Sequence, residues 1–146
     1  MFPSLRRRLR PYAPLFLRLG LGIVYLLFGL QKFTDAVQGQ ANVRLLLDIG
    51  PGAASVVNFA FGVIEILIAA SFLLGAFVHF WAFVATVLTV TVFFGIVAKH
   101  GLSLDPTLDR DFALIGANIA LFLTGAGPLS WDHSRERAIP ISTPEQ

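Results

Sequence analysis

The chain has 146 residues, enough for one domain, and 55% of them are hydrophobic while only 14% are charged. Soluble domains carry about a quarter charged residues, so this composition and a mean hydropathy of +0.74 exclude the ordinary water-soluble class and indicate a membrane protein. Cysteine is absent, which removes disulfides, thiolate metal sites and thiol nucleophiles; the net charge of +2, with basic residues at termini and span ends, reads as a topology signal and excludes nucleic acid as a partner.

The first residues, "MFPSLRRRLRPYAPLFLRLGLG", imitate a secretory signal, a basic region followed by an apolar one. Arg18 interrupts the apolar part, so the segment is expected to stay as a basic cytoplasmic N-terminus (1–13) and a signal anchor. The first span is expected at about 14–33, after the breakers Pro11 and Pro14 and before the polar run "TDAVQGQANVR". Stepping along it by helical spacing gives Arg18, Gly22, Tyr25, Gly29 and Lys32, one stripe of small and polar residues. Arg18 is placed to snorkel toward the cytoplasm, because helical side chains lean toward the N-terminus; the same lean turns Lys32 back into the membrane.

A second span is expected at 51–74, opened by Pro51 and closed by Gly75, with a stripe of Asn58, Gly62, Glu65 and Ala69. From Ile66 to Ala98 there are 33 consecutive residues without Asp, Glu, Lys or Arg. One helix of that length would reach about 50 Å against a hydrocarbon core of about 30 Å, so the stretch folds back and a third span follows at 76–98. Its β-branched run "FVATVLTVTVFFGIV" would suit a strand in water, but lipid forbids open strand edges and helix is expected. His79, Ala82, Thr86, Thr89 and Phe93 lie along one face of this span, and Thr91, Gly95 and Lys99 along another. The fourth span is expected at 106–127, capped by Asp105 and opened by Pro106, with Asp111, Asn118, Gly125 and Asp132 at intervals of seven. The transmembrane domain then covers 14–128, and 129–146 forms a polar tail.

The expected fold class is all-α: an integral membrane four-helix bundle of antiparallel transmembrane helices, polar stripes inward and greasy faces to the lipid bilayer. Four spans put both termini on one side with seven arginines, against Lys32, Arg44, Lys99 and Arg110 on the other, so both termini are expected in the cytoplasm. The stretches "TDAVQGQANVRLLLDIG" and "HGLSLDPTLDR" are then outer loops.

Glu65, about 20 Å along its helix, is the sharpest single residue, since a carboxylate at that depth faces protein or water and has a partner. One reading makes Arg18, Lys32 and Glu65 topology signals and bundle glue. The other makes Glu65 line a polar pocket near the outer half, with Lys32 or Asn118 within reach, to take protons or to hold a polar headgroup such as a quinone's. Histidine ligation of heme is excluded by spacing: His79 and His100 are 21 residues apart, about 31 Å along one helix. No metal site, phosphate loop or catalytic constellation emerges.

Three stretches carry a resemblance. "RLGLGIVYLLFGLQKFTD", "FGVIEILIAASFLLG" with Glu65 and Gly75, and "DRDFALIGANIALFLTGAGPLSWD", which opens on the Arg110–Asp111 pair, are similar in order and separation to DoxX-family membrane proteins, from Arg18 to Asp132. The resemblance implies a multi-pass bacterial inner-membrane protein that works beside partner subunits. Relatives include the DoxD subunit of a thiosulfate:quinone oxidoreductase and members of redox-stress complexes. The fold also resembles that of quinone-linked thiol oxidases, whose cysteine pairs this chain lacks. The expected function is that of a membrane subunit of a quinone-linked oxidoreductase, with quinone as the ligand and a soluble or membrane redox subunit as partner. A small proton-coupled transporter titrating Glu65, working as a homo-oligomer, and a structural or assembly protein stay open beside it. The candidate ligand- or proton-binding residues are Glu65, Lys32, Asn118, Tyr25, Asp111 and Arg110.

Overall fold

A computed structural model describes residues 7–101, 106–127 and 129–132, all helix, turn or short connection. A 3₁₀ turn at Arg10–Tyr12 leads into α1 (Ala13–Thr34); then come α2 (Ala36–Leu47), α3 (Pro51–Leu74), α4 (Val78–His100) and α5 (Pro106–Thr124). Asp105, the expected cap of the fourth span, and the tail beyond Asp132 lie outside the described residues.

Three helical segments are long and apolar enough to cross a membrane: Arg7–Thr34, Pro51–Leu74 and Val78–Lys99. α5 has 19 residues and carries the consecutive charges Asp109, Arg110 and Asp111 near its start; these lower its hydropathy, and it packs beside α4 as the fourth long helix of the bundle. Around the bundle run exposed Phe16, Leu27, Phe59, Leu74, Phe80, Phe94, Phe112 and Leu123, each at least 60% exposed. No soluble monomer tolerates an apolar collar of this extent, and lipid is the solvent that removes its cost. The fold is an all-α membrane bundle.

Inside lies the other half of each helix. Leu21, Tyr25, Ile68, Ala69, Phe72, Val78, Ala82, Ala85 and Leu121 form a continuous buried core. The polar stripes read from helical spacing face it: Arg18, Gly22, Tyr25 and Gly29 of α1, Asn58, Gly62, Glu65 and Ala69 of α3, and Asp111 and Asn118 of α5 are all buried. On α4 it is the face of Ala82, Thr89 and Phe93 that turns inward; Thr91 and Lys99 are exposed. Thr86, Thr89 and Thr91 each return their hydroxyl to the carbonyl four residues back, at 2.7 to 2.8 Å, which satisfies a polar group without a partner helix.

Glycine sets the α1–α3 distance. A Cβ on Gly29 would stand 2.7 Å from Ile66 Cγ1 and 3.0 Å from the Gly62 carbonyl, and one on Gly62 would stand 2.9 Å from the Phe33 ring. The two backbones touch where neither has a side chain, as in small-residue packing of membrane helices.

Three features differ from the sequence-based expectation. The stretch read as an outer loop holds α2, a 12-residue helix. Asp35 caps it by accepting from the Gln38 N–H at 3.3 Å, and Asp48, with φ 55°, ends it. Gly39, Val43 and Leu46 recur at helical spacing on its inner side, and Val43 is 4% exposed. At the opposite end, Asp132 does not continue the α5 stripe, because α5 stops at Thr124. Its carboxylate instead accepts the Phe77 and Val78 N–H groups at 2.8 and 2.9 Å, capping the start of α4, and its own N–H donates to the Gly75 carbonyl at 3.2 Å. Arg18 does not snorkel: it is 3% exposed and donates to the Leu129 carbonyl. Gly75, with φ 72°, ends α3 where a Cβ would collide with the Arg18 guanidinium.

Candidate functional site

Lys32 follows Gly29 by three residues and Glu65 follows Gly62 by three, so the close α1–α3 crossing sets the two charges side by side. The Lys32 ammonium lies 2.9 Å from Glu65 Oε1, to which it donates a hydrogen bond, and 2.8 Å from Oε2. The carboxylate side chain is 6% exposed and the lysine 22%, so the lysine keeps an open side. The Lys32 backbone carbonyl, in the last turn of α1, accepts from Asn58 Nδ2 at 3.0 Å. Of the two partners expected for Glu65, Lys32 is the one that pairs with it.

Asn118 joins a different set. Its Nδ2 donates to the Tyr25 hydroxyl at 2.6 Å, and Tyr25 and Thr89 share a 2.9 Å hydrogen bond. The direction follows from the last link. Thr89 gives its proton to the Ala85 carbonyl, which can only accept, so Thr89 accepts from Tyr25, and Tyr25 accepts from Asn118. A one-way chain, Asn118 to Tyr25 to Thr89 to Ala85, ties α5, α1 and α4 together. Asn118 is fully buried, and its Oδ1 has no hydrogen-bond partner among the described residues.

The third group is Arg110 with Asp111. The guanidinium donates to Asp111 Oδ1 from Nε at 3.2 Å and from Nη2 at 3.1 Å, and lies over the Phe28 ring, 4.7 Å from its centroid. Asp111 Oδ2 is buried and without a donor among the described residues.

These groups meet at one cavity of about 660 Å³, in the half of the bundle away from the Arg18–Asp132 end. Its walls include Tyr25, Phe28 and Lys32 from α1, Glu65 from α3, Thr89 from α4, and Arg110 and Asp111 from α5. Gln38, Asn42 and Leu46 of α2 lie across its end. Five of the six candidate residues line the cavity, and Asn118 stands behind it through Tyr25. Sequence reading missed Phe28, Gln38 and Asn42. Phe28 has no polar signature, and the α2 residues fall in a stretch whose polar composition reads as a loop; Asp35 as a cap before Gly39, Val43 and Leu46 at helical spacing is the available signal.

The charges lining the cavity balance: Lys32, Lys99 and Arg110 against Asp35, Glu65 and Asp111. The site offers cationic donors, two buried carboxylates and an aromatic ring, which suits an uncharged polar headgroup. Among the described residues no cluster of three or more His, Asp or Glu could hold a metal ion.

The fold and this buried polar interior define a multi-helix integral membrane protein. The DoxX family model matches residues 13–99, more than half of the chain, and the chain belongs to the DoxX family. The match covers two of the three stretches of resemblance; that from Asp109 to Asp132 lies beyond it. No curated protein and no solved structure matches the chain.

Proposed function

We propose that this chain is a membrane subunit of a quinone-linked oxidoreductase and that its cavity holds the quinone ring. The observation that carries the reading is the convergence of Lys32, Glu65, Arg110 and Asp111, from three helices, on one space of about 660 Å³ beside the Phe28 ring. Cationic donors suit the oxygens of a quinone, the buried Asp111 oxygen suits the hydroxyl of its reduced form, and the aromatic edge suits the ring. A quinone brings the two-electron chemistry; this chain's residues bind and orient the ring and hold protons near its oxygens. Without cysteine, thiol chemistry belongs to a partner subunit.

In this reading α5 is the fourth span, the protein sits in a bacterial inner membrane, and both termini are cytoplasmic, which puts the cavity in the outer half. The test is purification from native membrane, with identification of copurifying subunits, followed by thermal unfolding with and without a short-chain quinone. A raised melting temperature and a redox partner are the expected results. Absence of both overturns the reading.

The buried Lys32–Glu65 pair also favours a second reading, proton-coupled transport. It requires proton-linked flux in liposomes that Glu65→Gln abolishes. If neither quinone binding nor flux is found, the polar stripes serve packing alone.

A further inference from the structure

A second cavity, about 370 Å³ in volume, runs along the outer surface between α1 and α5. Its lining is Val24, Leu27, Ala113 and Ala117, together with Phe28, Arg110 and Leu114. Those last three residues also line the polar cavity, so a wall only one side chain thick separates a hydrophobic groove from a charged chamber. Leu27 is 60% exposed and Ala113 is exposed, and both lie on the face that the apolar collar assigns to lipid. The wall is Leu114 together with the Arg110 guanidinium resting on the Phe28 ring. Phe28 is partly exposed and meets Tyr25 edge to face, and the Arg110 side chain is 49% exposed, with its hydrogen bonds among the described residues going to Asp111, the next residue in its own helix, and to no other helix. Across the water-facing end of the chamber lies α2, whose Gly39 sits against Asn58 and whose Leu46 sits against Gly95.

We infer that the chamber is loaded sideways from the bilayer through the Phe28–Arg110 wall, and that its ligand is an uncharged amphipath with a hydroxyl-bearing head in the chamber and a hydrocarbon tail in the α1–α5 groove. The inference rests on the ligand-binding reading above and adds a route and a tail to it. The tail follows from the groove, whose remaining lining has no polar side chain and opens on acyl chains. The hydroxyl follows from Asp111, whose side chain is 4% exposed and whose Oδ2 has no donor among the described residues. The lack of charge follows from the three cations and three anions of the lining. A quinol and a lipid with free hydroxyls share this chemistry.

The experiment is equilibrium binding to the whole protein in nanodiscs, with two hydroquinone probes that share a ring and carry either a methyl group or a ten-carbon tail. Ala113→Trp, at an exposed position, fills the groove without replacing any polar residue, and Leu27→Trp does so from the opposite wall. The expected result is that either tryptophan weakens the long-tailed probe at least tenfold while the methyl probe changes less than twofold. Comparing each variant with the parent protein cancels the partitioning of the probes into lipid. Competition by monoolein would support the inference with a lipid as the occupant; its absence, with the tail effect intact, would support it with a quinol. If the methyl probe binds but neither tryptophan affects the tail, the sideways route is overturned while ring binding stands. If neither probe binds the parent protein, the reading under Proposed function fails and this one with it.

Discussion

Lys32 and Glu65 are neutralised by one another in a place where either alone would be costly. Glu65→Gln leaves an ammonium without its counter-ion, and the expected loss is roughly 2 kcal/mol, below the usual cost of breaking a buried pair because Lys32 is partly exposed. Replacing both, Lys32→Met with Glu65→Leu, is expected to recover most of that loss. Thermal unfolding of the two variants in one detergent checks it, and a double variant weaker than Glu65→Gln contradicts it. Tyr25 is a relay residue with no spare capacity, giving its proton to Thr89 and accepting from Asn118. Tyr25→Phe strands the Asn118 amide, at an expected cost of about 1–3 kcal/mol. In a double-mutant cycle Asn118→Leu should then cost much less on the Tyr25→Phe background than on the parent. Equal costs on both backgrounds would remove the hydrogen bond from the account. At this scale the sequence was legible wherever a polar residue interrupted an apolar run, since lipid leaves such a residue few places to go. It was silent on Phe28, which looks like any lipid-facing aromatic until Arg110 is placed over it.

At the scale of helices, spacing alone identified the inward faces of α1, α3 and α5, because a small or polar residue every three or four positions marks one side of a helix. It identified α4 less well. Threonines that bond to their own backbone can sit on any face, so Thr91 is exposed while Thr89 is buried. α2 was illegible for a further reason: with 12 residues and a polar composition it has neither the length nor the hydropathy of a span. Its position on the bundle is a tertiary effect. The Gly29–Gly62 contact gives a sharp prediction here. Gly62→Leu must push Phe33 and the Lys32 stem away, so α1 and α3 separate and the ion pair breaks. The expected outcome is a loss of stability larger than that of Glu65→Gln, which the same thermal series measures. Asp132→Ala removes the cap of α4 and is expected to cost about 1 kcal/mol. Asp132→Asn, which keeps one acceptor, should recover part of it.

For the whole molecule, the two ends of the bundle have different work. One is tied by Arg18, Gly75 and Asp132; the other holds the chamber, covered by α2. The proposed orientation can be read with single cysteines, since the chain has none of its own to react. A membrane-impermeant maleimide added to intact cells should label Arg44→Cys on α2 and leave Arg8→Cys untouched until the cells are opened. Labelling of both from outside would reverse the assignment of sides. The tie at the closed end also bears on biogenesis. The carboxylate that finishes the turn between α3 and α4 is translated more than 50 residues after that turn, at Asp132 against Phe77 and Val78. While the ribosome is still feeding out the later helices, those two amides have no acid to meet, and nascent α4 enters the bilayer without its cap. Only the arrival of Asp132 seals the joint, so a product that stalls or is cut before that residue would never close it.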